Sequence, residues 1–199
     1  VRFEVALGNH ELTEGQSEET LQWIESRLEK LGYSNTYRVI PYGPVDFFFL
    51  DSATPLVTGD RSGEQLAWLD EVLDESTATW KIAVMHHAPY SSSAKRGSNL
   101  ELRAAVEPLF IEHGVQLVLT GHDHTYERTV PQSGVTYVVT GAGAKLSDVG
   151  RSEFTAASAK VLQFMIADVD GDRLHLQAID KTGTVFDQVT LNTSGEVVP

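Results

Sequence analysis

Five times along this chain a short apolar run stops at a polar cluster. "VAL" leads into Gly8, Asn9, His10 and Glu11, "FFFL" into Asp51 and Ser52, and "IAVM" into His86 and His87. "LVLT" then leads into Gly121, His122, Asp123 and His124, and "VVT" into Gly141, Ala142 and Gly143. Apolar runs this short, without polar alternation, read as strands buried on both faces. Helical periods separate them. Residues 17–31 carry Leu21, Ile24, Leu28 and Leu31 with Gly32 beyond as a stop, and residues 63–75 carry Leu66, Leu69 and Leu73. Ser98 and Glu101 have capping-box spacing at the head of a helix reaching His113, which Gly114 ends, with Pro108 inside it. Strand-helix units of this kind predict a mainly parallel sheet, and ligand sites in such sheets collect at the carboxyl ends of the strands. The five clusters are then expected to converge.

From Lys160 the pattern changes. Apolar and polar residues alternate through "KVLQFMIADV", "RLHLQAI" and "TVFDQVTL", with "DGD" and "KTG" as turns, which predicts an antiparallel meander over 160–191 followed by a loose tail. The fold class is thus α/β with α+β character. The 199 residues contain no internal repeat or linker and read as a single domain spanning 1–199. Because "FEVAL" is of strand type and begins almost at Val1, the N-terminal part of that domain is expected to be missing.

Charge and composition narrow the chemistry. A formal net charge of -13 repels phosphate backbones, so nucleic acid is not an expected partner, and an anionic small substrate needs locally supplied positive charge. No apolar run is long enough for a membrane span. With 0 cysteines, any metal must be held by nitrogen and oxygen donors. Two histidines one residue apart share a face if the segment is extended, so His122 and His124 could serve neighbouring positions of one cluster. Alone, the pair fits ligation and ordinary surface histidines equally. Set among polar clusters at the other strand ends, which offer further imidazole, amide and carboxylate donors, it points to metal binding.

Other features carry less. His113 and His175 read as a helix-closing and an outward strand residue, and Glu127 as a solvated or loop-bracing carboxylate. Asp51 and Ser52 read as a strand-end turn. "HELTE" lacks the second histidine of a zincin helix, having Glu14 in its place; "DVDGD" fits a hairpin turn better than a calcium loop; "GAGAK" is too short for a phosphate loop.

"GNHE" (8–11), "VMHHAPY" (84–90) and "GHDHTYER" (121–128), in that order, resemble the last three signature blocks of the calcineurin-like metallophosphoesterases, and "TYER" and "VMH" are most similar to the purple acid phosphatase-like branch. The resemblance implies a two-sheet sandwich flanked by helices, incomplete at the N-terminus. It further implies hydrolysis of phosphate mono- or diesters by a metal-bound hydroxide, at two ions drawn from Fe, Zn or Mn. Carried over, Asn9, His86 and His122 hold one ion and His124 belongs to the other, with His10 as the catalytic imidazole facing a phosphate-ester small molecule. His86 is preferred to His87 as ligand because it is the first polar residue after the strand. His87, Tyr90 and Arg128 are candidate substrate contacts, although packing and a surface ion pair suit Tyr90 and Arg128 equally. The family's Asp-x-His and Gly-Asp blocks do not occur ahead of "GNHE" in this chain. One ion, or a weakly held second, is therefore expected here, and the alternative function is a non-catalytic metal-binding or interaction module of the same fold. An extracellular or periplasmic location is an expectation of the resemblance only.

Overall fold

The computed structural model describes residues 3–11, 18–30, 32–33, 35–53 and 62–199. Helix α1 (Glu18–Lys30) comes first, then a hairpin of β1 (Arg38–Tyr42) and β2 (Val45–Phe49). The strand-helix units follow as α2 (Ser62–Glu75), β3 (Trp80–Met85), α3 (Leu100–Glu112) and β4 (Leu117–Thr120), leading to β5 (Tyr126–Thr129), β6 (Thr136–Thr140) and β7 (Thr155–Ala159). The meander is β8 (Gln163–Asp170), β9 (Arg173–Asp180) and β10 (Val185–Asn192), closed by β11 (Val197–Val198).

Two sheets result. The larger has the order β1-β2-β3-β4-β6-β5-β7 and the smaller β11-β10-β9-β8. Strands β2, β3, β4 and β6 run parallel, as the buried apolar runs predict, while β1, β5 and β7 pair antiparallel at the flanks. The two-residue period of a strand explains why those runs are apolar throughout. From β3, Trp80 and Ile82 face the smaller sheet and meet Leu174, Leu176 and Val189, whereas Ala83 and Met85 face the helices and meet Leu69, Leu102 and Phe110. Leu117 and Val118 in β4, and Val138 and Tyr137 in β6, divide in the same way. The molecule is a two-sheet sandwich with α2 and α3 on the outer face of the larger sheet.

Several expectations change. Gly32, at φ 83°, ends α1 as predicted, and Leu28 packs on Leu7 and Tyr33. Ser17, Leu31, Glu14 of "HELTE" and the side chains of Leu21 and Ile24 lie outside the described residues. The cap of α3 is Asn99, whose side chain accepts from Leu102 N–H at 3.0 Å. Ser98 is engaged instead by Ser91, accepting its N–H at 3.0 Å and donating to its carbonyl. Pro108 sits within α3 without ending it, because Leu102, Val106 and Phe110 keep the helix anchored to the core. The tail is not loose. Asn192 Oδ1 accepts from Ser194 and Glu196 N–H, turning the chain so that β11 pairs with Thr190 and Leu191. Residues 3–8 form no strand; the guanidinium of Arg38 instead holds Val5 O at 2.6 Å.

Candidate metal centre

Strand register places the clusters. Met85 stands opposite Thr120 across the parallel pair β3 and β4, and the ladder continues one step further, with Gly121 N–H donating to His86 O at 3.0 Å. His86 therefore leaves the sheet level with Gly121, one residue before His122. The end of β2 is level with them, since Ser52 Oγ accepts the N–H of His87 at 2.9 Å.

The third partner arrives from the other end of the sequence. Asn9 Oδ1 lies 2.8 Å from His86 Nε2 and 3.0 Å from His122 Nδ1, and the two ring nitrogens are 2.9 Å apart. No placement of ring protons turns all three edges of this triangle into hydrogen bonds, because an amide oxygen only accepts and each ring nitrogen either donates or accepts. One cation facing three lone pairs satisfies all of them. The spacing agrees: adjacent ligands with bonds of ~2.1 Å stand ~3.0 Å apart in octahedral coordination and ~3.4 Å apart in tetrahedral coordination. The donor set fits a metal ion of nitrogen and oxygen preference.

Electrostatics keep the lone pairs available. Burial pushes His86 down to about 4, helped by neighbouring His87, Arg96, His10 and His124. Burial pushes His122 down to about 3, with His87, Arg96, His86 and His124 adding to the effect. His87 is also lowered by burial, against the opposing pull of its hydrogen bond to Ser52. These imidazoles are neutral at neutral pH, the form that ligates.

The predicted residues do not all gather. His87 joins the cluster: His86, His87 and His122 can each offer a ring nitrogen within 4.8 Å of the others. Its Nδ1 lies 2.7 Å from Ser52 O and donates there, leaving the other nitrogen with a lone pair. His10 is exposed beside Asn9 and close enough to act on His86. His124 stands at the rim, where its carbonyl accepts Ser147 N–H at 2.7 Å. Tyr90 and Arg128 have partners elsewhere. Tyr90 is 8% exposed, packs its ring on Tyr137 and Phe154, and donates to Glu107 at 2.6 Å. Arg128 turns between the two sheets and holds both oxygens of Asp187, at 2.8 and 2.9 Å. Neither faces the cluster.

The 121–124 segment also departs from expectation. It is a bend rather than an extended run, closed by Asp123 N–H to Gly121 O at 2.7 Å and Thr125 N–H to Asp123 O at 2.8 Å. His122 has φ 61°, a conformation uncommon for a residue with a Cβ. It is this backbone turn, rather than strand alternation, that aims His122 at Asn9 and His86. Gly141 permits it, since a Cβ there would stand 2.2 Å from Asp123 O. Gly8 is equally confined, a Cβ there meeting His86 Nδ1 at 2.7 Å.

Further supports surround the turn, of which only Glu127, as a loop-bracing carboxylate, was among the sequence readings. Ser91 donates to buried Asp123 at 2.7 Å, and buried Glu127 accepts from Ser92 N–H at 2.5 Å and Thr155 hydroxyl at 2.6 Å, so Glu127 braces the loop and is not solvated. Arg96 donates to the carbonyl of His122. The only sequence signal for Arg96 was a Lys-Arg pair soon after the histidines in an acidic chain.

The sequence model of the calcineurin-like phosphoesterase family matches residues 1–126. The chain belongs to that family. Within it, the chain is similar to purple acid phosphatases. It is 31% identical to purple acid phosphatase 21 of Arabidopsis thaliana over 138 residues, which are 64% of this chain and 31% of that protein. It is 30% identical to purple acid phosphatase 23 of the same plant over 158 residues, 71% of this chain and 34% of that protein. The chain thus spans about a third of the length of these relatives. In fold it is similar to purple acid phosphatase PPD1 of yellow lupin, with a TM-score of 0.72 at 20% identity over 80% of this chain and 33% of that one. It is also similar to GAP50, described as the anchor in the inner membrane complex of Plasmodium, with a TM-score of 0.66 at 18% identity over 80% and 55% of the two chains.

Proposed function

We propose that this chain carries part of the reaction centre of a metal-dependent hydrolase of phosphate mono- or diesters. The observation that carries the reading is the triangle of Asn9 Oδ1, His86 Nε2 and His122 Nδ1, drawn from three segments distant in sequence, in a chain whose family is one of phosphoesterases. Asn9, His86 and His122 hold one ion, of Fe, Zn or Mn type, and His124 contributes toward a second. When bound, such ions neutralise phosphate charge and lower the pKa of water toward neutrality.

The residues around the triangle divide the remaining work. His87, fixed by Ser52, presses a third imidazole against the ligands and holds their orientation. His10, exposed beside Asn9, meets the substrate from the solvent side and gives a proton to the departing alkoxide oxygen, a step typically contributing ~100- to 10,000-fold. Asp123, Ser91 and Glu127 hold the backbone that carries His122.

The test is hydrolysis of an aryl phosphate by the purified chain supplied with Mn, Zn or Fe. Release of the phenol that depends on the metal and stops with a chelator supports the reading. Metal uptake without any hydrolysis would instead make the chain a metal-binding module.

A further inference from the structure

Helix α3 grips the segment that follows His86 and His87. Asn99 N–H donates to Ala88 O at 2.9 Å, Arg103 Nε donates to Pro89 O at 3.0 Å, and the hydroxyl of Tyr90 donates to Glu107 at 2.6 Å. Residues 99, 103 and 107 are spaced four apart, so they lie along one stripe of the helix, and they meet 88, 89 and 90 in order. Half-buried Arg103 makes a second contact as well. Its guanidinium lies over the ring of Tyr90, 3.7 Å from the centroid, while Tyr137 and Phe154 pack on that ring at 4.6 and 5.1 Å between centroids. The segment held in this way connects two of the proposed ligands. His86 stands three residues before Pro89. Ser91, directly after Tyr90, donates to Asp123 at 2.7 Å, and Asp123 adjoins His122.

We propose that Arg103 is a positioning residue of the metal centre, which fixes residues 88–90 along α3 and thereby sets the spacing between His86 and His122. This rests on the reading that these histidines share an ion. Tyr137 and Phe154 already bury the Tyr90 ring, so burial alone does not call for a cation there. Stacked rings can slide over one another, whereas a directed N–H···O bond to a main-chain carbonyl stops the segment from shifting along its own length. The planar guanidinium stacks by its face and donates from its edge at the same time, so one side chain fixes both the ring of Tyr90 and the backbone before it. Ser91 then carries the same constraint across to the turn at His122.

The test is titration of the chain with cobalt(II), whose visible absorption reports coordination geometry, followed by competition with zinc. R103M keeps the length of the side chain and loses its donor and charge; R103K keeps one donor and the charge. R103M is expected to bind zinc about tenfold more weakly and to show an altered cobalt band at saturation, while R103K stays within about threefold and keeps the native band. An Arg103 that served only the stability of the fold would lower the thermal midpoint of R103M and leave its zinc affinity and cobalt band native. That result overturns the proposal, as does a loss in R103K equal to the loss in R103M. Should R103M not fold, S91A cuts the same path beyond Tyr90 and is expected to weaken zinc by about tenfold with an altered band. Native behaviour in S91A overturns the proposal equally. A native chain that binds neither ion sinks the metal reading and this proposal with it, whereas native binding with an unchanged variant sinks the proposal alone.

Discussion

His86 Nε2 and His122 Nδ1 lie 2.9 Å apart although 36 residues separate them in sequence. Two imidazoles at that distance cannot both be charged, and burial already holds His86 at about 4 and His122 at about 3. Both folded values lie below the ordinary 6.5, so the unfolded chain binds more protons in the window between. The stability these two groups contribute is complete above about pH 6.5 and is lost as pH falls toward about 4 and then 3. Thermal melts of the metal-free chain should show a falling midpoint across that window. The fall should be shallower in H122Q; an equal slope in the variant would remove the histidines as its cause.

The glycines separate packing from ligation. At Gly141 the obstacle to a Cβ is backbone, the carbonyl of Asp123 at 2.2 Å, which cannot step aside cheaply. Gly141→Ala should cost about 1–3 kcal/mol in denaturant unfolding and lose metal as well, because it moves the turn that aims His122. At Gly8 the obstacle is the ring of His86 at 2.7 Å, a side chain that can rotate. Gly8→Ala should weaken zinc binding with a smaller change in stability. Matched losses in both variants would contradict the distinction.

Arg128 works between the sheets. Asp187 on β10 accepts both of its hydrogen bonds and the hydroxyl of Tyr126, with the ion pair's side chains only 11% and 13% exposed. Asp187→Ala should cost about 3 kcal/mol by leaving a buried guanidinium without its partner, while zinc affinity stays unchanged. Chemical denaturation and metal titration on the same sample separate the two effects. A loss of zinc affinity without loss of stability would return Arg128 to the site.

His10 is the proposed proton donor and no ligand. His10→Ala should keep its metal and lose aryl phosphate turnover by ~100-fold or more. Metal content by elemental analysis beside the rate decides it, since loss of both together would make His10 a ligand.

Much of this architecture was legible because buried parallel strands announce themselves as apolar runs, and their carboxyl ends as polar punctuation. On that ground the polar clusters were expected to converge, while the choice of Asn9, His86 and His122 among them came from the family resemblance. The strands that escaped had no such signature. Tyr126–Thr129 alternates between the intersheet core and a polar brace at Glu127, Thr155–Ala159 is built of small residues, and Arg38–Tyr42 contains a proline. The left-handed turn at His122 was invisible because what makes room for it, the missing Cβ of Gly141, lies 19 residues further on. The roles of Arg96 and Ser91 depend on two loops docking over that turn, a contact with no periodicity to announce it. For Tyr90 and Arg128, the last residues of two of the motifs, substrate contact and packing were equally open in the sequence, and the structure shows the packing and the ion pair.

The central claim is that Asn9, His86 and His122 hold one cation between them. Its most direct measurement is zinc content after the chain is loaded and dialysed, for the native sequence and for H86A/H122A. About one zinc per native chain and almost none in the variant is the predicted result. Native chain that retains no zinc, or a double variant that retains as much, would contradict it.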